Sequence, residues 1–404
     1  MDNKPKVLMI ITMDTKEAEA RFLRKRLEEG GLEVYHLDAS IRPTVADGAE
    51  ITPDQIAAAA GKTMAEVRAL NHEAKCLDVM IQGAIPCAHE LDRRVGLSAI
   101  IGVGGSLGTA LCSAVMQTFP FGLPKVLVST MASGNTRPIV GTKDIILFYS
   151  VCDVLGLNTV TRRVFENSAL ALAGMARGYK PCVSSGKPLA LISTLSITEK
   201  CCLAIRKAIE LQGFEVMVFH TSGTGGMTMD EIIREQEVAV VVNLSLIEVS
   251  DYLSNGLFSG GPGRCKASLE KGIPTIFAPG CVDIIVAGPV EDAKARYPGR
   301  RFHVHNPSLT AVRSGAEEFK RLAEHMAALI KEAKGPVAFF VPLLGFSEHD
   351  SERGHLHDVS LPPVFAEHLK KFMPAGVPVA EVPCHINDQL FADKIIEQVI
   401  AFRK

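Results

Sequence analysis

The sequence predicts an α/β protein of two doubly wound, Rossmann-like domains, each with a parallel sheet, that are related by an internal repeat. Two observations carry this prediction. Short apolar runs rich in β-branched residues alternate with longer segments of helical period, which is typical of helices packed around a parallel sheet. In addition, a strand–helix–glycine–strand unit at 7–38 recurs at 189–220 with a constant shift, so that Glu17 aligns with Glu199 and Gly31 with Gly213.

The first half opens on the repeated unit and continues with helical segments and a third strand. Its predicted elements are a strand at 7–12, a helix at 16–29, a strand at 32–37, helices at 52–61 and 64–75, and a strand at 99–103. The segment 77–93 also has helical spacing, but Pro86 lies within it. Because proline lacks an N–H group and clashes with the preceding turn, a kink or break is expected there.

The boundary between the two domains is expected in a polar stretch, 177–188, that is rich in Gly, Pro and Ser and follows a long predicted helix at 159–176. We therefore place an N-terminal domain at 1–180 and a C-terminal domain at 188–404. The second domain is expected to contain a strand at 337–343 and a closing helix at 388–402.

Composition excludes several classes of partner. The 404-residue chain is 47% hydrophobic and 22% charged, with a formal net charge of −2 and no tryptophan. This balance gives no electrostatic reason to expect nucleic acid or an anionic membrane as a partner, and no stretch approaches the roughly 20 apolar residues of a membrane helix. The ten cysteines are scattered without a CxxC pair, so a reducing, cytoplasmic setting is expected.

The stretch IGVGGSLGTALCSAVMQ, 101–117, joins a predicted strand to a helix through a glycine turn. Unpaired backbone N–H groups and the helix dipole make such a turn a cradle for anions. The stretch lacks the lysine of a P-loop, and Leu107 stands where a dinucleotide fingerprint has Gly or Ala. The alternative is a tight turn in which Ser106 or Thr109 only caps the helix.

Two further loops are expected on the same edge of the sheet as this turn. The loops 12–17, 102–109 and 129–144 all follow predicted strands, and ligands bind beyond the carboxyl ends of parallel strands. Together they offer many N–H groups, hydroxyls and cations, a set that suits a polyphosphate with Mg²⁺. Asp14 and Asp144 are the carboxylates expected near that ion.

Loops of the second half are similarly polar and contain several histidines. The loop HTSGTGG at 220–226 offers a place for another anion. His305 and His385 are each expected in a loop with a neighbouring asparagine, Asn306 and Asn387, as in a polar pocket. No spacing in the sequence is typical of a cluster of protein metal ligands.

The motifs TMDTK, GVGGSLGT, STMASGNTRPIVGTKD, HTSGTGG, HNP and HIND together resemble the family named for the tomato mosaic virus resistance protein, over nearly the whole chain. The resemblance implies an ATP-binding N-terminal α/β domain, a second α/β domain and self-association, expected as a homodimer. The residues that it implies for nucleotide contact are Asp14, Thr15, Lys16, Gly104, Gly105, Ser106, Gly108, Thr109, Ser129, Thr130, Ser133, Gly134, Asn135 and Thr136.

Two functions follow as expectations. In the first, the protein is an ATP-dependent enzyme acting on a small metabolite in a cleft between the domains, with His305, His385 and Asn387 as catalytic candidates. In the second, it is a non-catalytic, nucleotide-regulated binding protein that acts through protein partners. Phosphoryl transfer needs positioned cations and usually a base, but no motif in the sequence assigns those roles, so the reaction stays open.

Overall fold

The computed structural model describes residues 4–43 and 48–403 and divides into two compact units, Met1–Val183 and Ser184–Lys404. Each unit has its own parallel sheet covered by helices, which confirms the predicted α/β class with two parallel-sheet domains. The strands of the sheet centres are buried along their whole length, so both faces of each sheet are packed.

The first unit is a five-stranded parallel sheet in the order β2-β1-β3-β4-β5, with helices on both faces. Its elements are β1 (Lys6–Ile10), α1 (Met13–Glu29), β2 (Glu33–Leu37), α2 (Pro53–Ala59), α3 (Met64–Ala69), α4 (Glu73–Val95), β3 (Ala99–Gly104), α5 (Ser106–Met116), β4 (Lys125–Ser129), α6 (Arg137–Val140), β5 (Ile145–Tyr149) and α7 (Thr159–Gly178).

Helix α4 runs unbroken through Pro86, so the expected break there is wrong. Packing explains the difference. One face of α4 is buried in the core, and a Cβ on Gly83 would stand 1.9 Å from the Ile56 carbonyl oxygen, which shows how closely α4 lies on α2. The expected helix at 64–75 is instead two, because α3 ends at Ala69 before α4 begins.

The second unit has a six-stranded parallel sheet, β14-β13-β9-β8-β6-β7, and a separate three-stranded antiparallel sheet, β10-β12-β11. Its strands are β6 (Leu189–Thr194), β7 (Glu215–His220), β8 (Val240–Ser245), β9 (Thr275–Gly280), β10 (Ile284–Ala287), β11 (Phe302–Asn306), β12 (Leu309–Arg313), β13 (Val337–Pro342) and β14 (Val379–Val382). Its α-helices are α8 (Glu199–Leu211), α9 (Thr224–Glu235), α10 (Ile247–Ser254), α11 (Lys266–Lys271), α12 (Val290–Arg296), α13 (Ala316–Lys331), α14 (Leu361–Phe372) and α15 (Gln389–Phe402).

The repeat seen in the sequence corresponds to equivalent topology. The order β2-β1-β3 in the first sheet is matched by β7-β6-β8 in the second, with α1 and α8 as the first connections. In both sheets the chain moves outward by one strand and then returns to the other side of the starting strand. The small antiparallel sheet was not predicted from the sequence and contains the segment HVHNP.

Candidate functional site

A cavity of about 280 Å³ lies at the carboxyl ends of β1 and β3, the neighbouring strands where the order of the first sheet reverses. Such reversal points are where open α/β sheets bind ligands. The turns after β1 and β3 contribute Thr12, Asp14, Thr15, Lys16, Gly105, Ser106, Leu107 and Gly108 to its wall. The structure thus brings two of the three predicted loops together around one cavity.

The glycine turn delivers the N-terminus of α5 directly to this cavity. Gly105 is the N-cap residue of α5, and no side chain caps the helix. The first N–H groups of a helix have no intrahelical acceptor, so those of Ser106, Leu107 and Gly108 are available to an anion. Ser106 is exposed and does not serve as the cap, unlike in the alternative interpretation of the turn.

The two central glycines of the turn have different roles. A Cβ on Gly104 would stand 2.5 Å from the carbonyl carbon of Gly108 and 2.5 Å from the nitrogen of Thr109, so this glycine lets β3 lie against the first turn of α5. A Cβ on Gly105 would have only one neighbour within 4 Å, the Thr130 hydroxyl at 3.9 Å. Gly104 is therefore required for packing, whereas Gly105 leaves backbone open beside the cavity.

The turn after β1 is held by the segment that follows β2. The N–H groups of Met13 and Asp14 donate to the Ser40 hydroxyl at 2.8 and 3.0 Å, and Met13 also donates to Asp38. In return, Asp14 Oδ2 accepts from the N–H groups of Ile41 and Arg42 at 3.2 and 3.1 Å. The start of α1 is thus capped by the protein, unlike that of α5.

Lys16 interrupts α1 and lines the cavity. Its backbone is non-helical (φ −138°, ψ 33°), which separates the first turn of α1 from the rest of the helix. Its ammonium group lies 3.5 Å from the Thr15 hydroxyl and makes no ion pair among the described residues. Lys16 therefore brings a positive charge to the same cavity as the N-terminus of α5.

The third predicted loop contributes support rather than cavity wall. The Thr109 and Ser129 hydroxyls lie 2.6 Å apart and are buried, and Ser129 also accepts from the N–H group of Met131. The Thr130 N–H group donates to the Gly104 carbonyl at 3.3 Å, which fixes the loop beside the glycine turn. The remaining predicted residues of this loop are not among those lining the cavity: Ser133, Gly134, Asn135 and Thr136.

Asp144 lies at the opposite edge of the sheet from the cavity. It precedes β5, and its carboxylate accepts from the buried Lys125 ammonium at 2.7 Å and from the Gly122 N–H group at 2.8 Å. Lys125 is the first residue of β4 and pairs in register with Ile145. The expectation that Asp144 stands near a magnesium ion is corrected, because it neutralises a buried lysine instead.

A second cavity, also of about 280 Å³, shares Ile41, Arg42 and Glu73 with the first. Arg68, Asn71 and His72 complete its polar wall, and Leu77 extends the apolar wall of the first cavity. These residues were not predicted from the sequence, because they come from α3, from the short segment that follows it and from the start of α4, where no motif stands out. The available sequence signal for them was the helical spacing of the apolar residues in α4.

In the second unit, the glycine loop HTSGTGG is already occupied by a carboxylate of the protein. Glu248 Oε1 accepts from the N–H groups of Gly223 and Gly226 at 2.8 and 2.9 Å. Its other oxygen accepts from the buried Arg264 at 2.7 Å, and Asp230 is the second anion on that arginine. The anion expected at this loop is therefore internal to the fold.

His385 and Asn387 follow β14 and tie neighbouring loops together. His385 Nε2 lies 2.8 Å from the Ser347 carbonyl, and its Nδ1 accepts from the Asn387 N–H group. The Asn387 amide donates to the Ile197 carbonyl at 3.0 Å and accepts from the Cys201 N–H group at 3.4 Å. These contacts connect the carboxyl ends of β6, β13 and β14.

His305 does not lie in a loop, contrary to expectation. It is exposed on β11, the edge strand of the antiparallel sheet, and Asn306 ends that strand with its side chain accepting from the Ser308 N–H group. His305 and His385 thus belong to different elements, and the structure shows no direct contact between them.

Burial perturbs two carboxyl groups near these loops. Burial, then the nearby Asp283, raises the pKa of Asp350 to about 7, while Arg313 acts in the opposite direction at 3.0 Å. Burial also raises the pKa of Asp283, which accepts from the Ser347 hydroxyl at 2.6 Å. Both groups are enclosed, so they brace the loops after β9 and β13.

Within 4–43 and 48–403, no three His, Cys, Asp or Glu side chains are already arranged to hold a metal ion. Over the same ranges, no helix combines the length and apolar character needed to span a bilayer.

Comparison with known proteins gives a family. Residues 5–181 and 187–403 match the N-terminal and C-terminal domains of the family described as "Uncharacterised protein family (UPF0261)". A UPF0261 protein of Clostridium tetani is 32% identical over 98% of both chains, and one of Mesorhizobium japonicum is 31% identical over 96% of this chain and 97% of that one. The ToMV resistance protein Tm-1(GCR237) of Solanum lycopersicum is 28% identical over 98% of this chain but only 56% of its own length. The chain belongs to the UPF0261 family and has tomato Tm-1 proteins among its relatives.

Proposed function

We propose that the first domain binds ATP, with its phosphates at the glycine turn between β3 and α5. The observation that carries this proposal is the uncapped N-terminus of α5 opening into a cavity at the reversal point of the sheet. Backbone N–H groups and the helix dipole favour phosphate there. Lys16 on the opposite turn supplies a cation for the outer phosphates, the role that positioned lysines take in phosphoryl sites.

The two adjoining cavities define the direction in which the bound nucleotide extends from its phosphates. Each alone is slightly below the roughly 300–1,000 Å³ typical of small-molecule pockets, and three shared lining residues place them side by side. With the triphosphate at α5, the nucleoside extends past Ile41 and Leu77 towards Asn71 and His72. The apolar side chains of Ile41 and Leu77 then lie against the nucleoside, and the polar Asn71 and His72 lie at its base end.

Magnesium is proposed as the companion of the nucleotide. Mg²⁺ takes oxygen ligands, keeps several waters and is commonly held by substrate phosphates with one or two carboxylates. Asp14 and Glu73 are the carboxylates that line the cavity. Asp14 is the proposed ligand because it lies in the turn after β1 with Lys16, and its Oδ2 accepts from the Ile41 and Arg42 N–H groups. ATP affinity should fall when a chelator is present in excess, and equal affinity would contradict this part of the proposal.

ATP-dependent chemistry on a small metabolite is the function that we propose for the bound nucleotide. The second candidate, a nucleotide-regulated binding protein that acts through protein partners, is favoured by one specific observation. The polar atoms of His385 and Asn387 are engaged with main-chain groups, and Glu248 fills the second glycine loop. Those contacts suit bracing residues, so the His385→Ala variant separates the two functions.

The test combines binding and turnover. Calorimetric ATP affinity is measured for wild type, for Gly105→Ala and for Gly174→Ala, a control in α7 whose added Cβ meets nothing within 4 Å. The proposal requires weaker binding in the first variant alone. A metabolite screen for ATP turnover then decides between enzyme and binding protein. Turnover that is lost in folded His385→Ala supports catalysis, and activity that follows the folded fraction supports bracing.

We also propose that the protein forms a homodimer in a reducing, cytoplasmic setting. Strand β5 is an edge strand that exposes Ile146 and Tyr149, followed by exposed Val151 and Leu155. Exposed apolar residues on an unpaired edge favour pairing with another chain. Light scattering should give a dimer for wild type and a monomer for Tyr149→Glu. The control Leu211→Glu, at an exposed leucine of α8, should stay dimeric, and a wild-type monomer would contradict the proposal.

The ten cysteines support the proposed reducing setting, because all of them are free thiols without a disulfide bond.

A further inference from the structure

Four histidines from two separate parts of the second unit meet at its surface. His303 and His305 are on β11, whereas His349 and His355 belong to the loop after β13. The His303 ring centroid lies 4.2 Å from that of His349, 4.9 Å from that of His355 and 6.4 Å from that of His305. One third of the twelve histidines of the chain are therefore in a single cluster.

Two ring nitrogens in this cluster face each other directly. His303 Nδ1 and His355 Nε2 are 3.1 Å apart. Two imidazole nitrogens on one tetrahedral zinc ion, each at about 2.0–2.1 Å, would be roughly 3.3 Å apart. The observed separation is close to the one that two histidine ligands of a common metal ion require.

The loop that carries two of these histidines is held firmly against β11. Leu356 is fully buried, and its N–H group donates to the His349 carbonyl at 3.2 Å. The guanidinium of Arg301, the residue before β11, donates to the His357 carbonyl at 3.0 Å. The positions of His349 and His355 therefore follow from backbone contacts that do not involve their rings.

Imidazole binds a metal ion through the lone pair of one ring nitrogen. The facing Nδ1 of His303 and Nε2 of His355 are the two positions from which such lone pairs can reach a common ion.

We propose that His303 and His355 bind a transition-metal ion of the Zn²⁺ class, through Nδ1 and Nε2 respectively. Imidazole-only ligands suit Zn²⁺, Co²⁺, Ni²⁺ and Cu²⁺ and not Mg²⁺ or Ca²⁺. The hydrogen between the two nitrogens moves through solvent to the other nitrogen of its own ring. Among the described residues, no third His, Cys, Asp or Glu side chain is placed to join these two ligands. Water molecules therefore complete the coordination of the ion and leave those positions open to exchange.

This site is independent of the proposed nucleotide site in both residues and ion. The nucleotide site uses oxygen ligands and Mg²⁺, whereas the histidine pair uses nitrogen ligands and excludes Mg²⁺. Gly105→Ala should therefore leave zinc binding unchanged, and His303→Ala should leave ATP binding unchanged. Failure of one proposal is thereby distinguished from failure of the other.

The experiment is a titration of the full chain, free of nucleotide and of any polyhistidine tag, with Co²⁺ followed by visible absorption and with Zn²⁺ followed by calorimetry. Wild type should bind one equivalent, and millimolar Mg²⁺ should not compete. His303→Ala and His355→Gln should each weaken binding at least tenfold. His368→Ala, at a histidine that contacts Glu324 on another helix, is the matched control and should bind as wild type.

Two results would overturn the proposal. One is the absence of saturable Zn²⁺ binding in folded wild type, and the other is equal affinity in wild type, His303→Ala and His355→Gln. Either would mean that the two imidazoles only share a hydrogen bond. Circular dichroism on each variant keeps the result interpretable, and His355 is exposed, so its replacement should not disturb folding.

Discussion

Two adjacent glycines in the turn before α5, Gly104 and Gly105, should respond differently to an added methyl group: the first by a loss of stability, the second by a loss of ATP affinity. In Gly104→Ala, the new Cβ would lie 2.5 Å from two backbone atoms at the start of α5. Neither atom belongs to a flexible side chain, so strand and helix must separate. In Gly105→Ala, the methyl group has space and enters the region beside the N–H groups that we assign to phosphate.

The two substitutions are expected to change different quantities by different amounts. Overpacking of this type costs about 1–3 kcal/mol, so Gly104→Ala should lower the melting temperature by several degrees, since 1 kcal/mol corresponds to roughly 2–4 °C in a unit of this size. Gly105→Ala should change stability by less than about 0.5 kcal/mol. Losing one hydrogen bond to a charged phosphate costs about 1.5–3 kcal/mol, which is a roughly 10- to 150-fold weaker ATP affinity.

Thermal unfolding and ATP calorimetry on the same preparations measure both quantities. We expect a loss of stability in Gly104→Ala and a loss of ATP affinity with normal stability in Gly105→Ala. Wild-type ATP affinity in stable Gly105→Ala would refute the assignment of phosphate to this turn. Normal stability in Gly104→Ala would refute the packing argument.

Three further substitutions test charges placed by the fold. Asp144→Asn should leave Mg²⁺-dependent ATP affinity unchanged and cost about 1 kcal/mol of stability, because Lys125 loses its anion; a change in affinity would return Asp144 to the site. Asp251 in α10 accepts from the Phe258 and Val286 N–H groups, and burial raises its pKa from 3.8 to about 7. The folded chain therefore holds that proton more tightly than the unfolded chain, and stability falls as pH rises between these values. Asp251→Asn should flatten this slope in urea titrations, and an unaltered slope would contradict the raised pKa of Asp251. Glu248→Gln should cost about 3 kcal/mol, because Arg264 loses a buried partner; a loss below 1 kcal/mol in urea unfolding would count against the internal-anion interpretation.

The fold was predictable because its signals are local. Buried parallel strands read as continuous apolar runs, and the repeat at 7–38 and 189–220 identified equivalent units in both halves. The break expected as one of two outcomes at Pro86 does not occur, because the rule for proline considers one helix alone, whereas α4 is held by close packing on α2 through Gly83. The antiparallel sheet was missed because β11 is short and partly exposed, which gives no clear alternation.

The candidate site was predictable only where it is formed by turns that directly follow strands. Gly105 and Lys16 lie in such turns, and both line the cavity. Asp144 was misplaced because a long loop returns the chain to the amino edge of the sheet, which sequence position does not reveal. The contact between His303 and His355 spans 52 residues, so no local motif announces it.

The most direct test of the central claim is a crystal structure of the chain with a non-hydrolysable ATP analogue and Mg²⁺. We predict phosphate oxygens about 3 Å from the backbone nitrogens of Ser106, Leu107 and Gly108, with the nucleoside extending towards Leu77 and Ile41. A nucleotide bound at another place with this turn empty, or no bound nucleotide at saturating concentration, would contradict it.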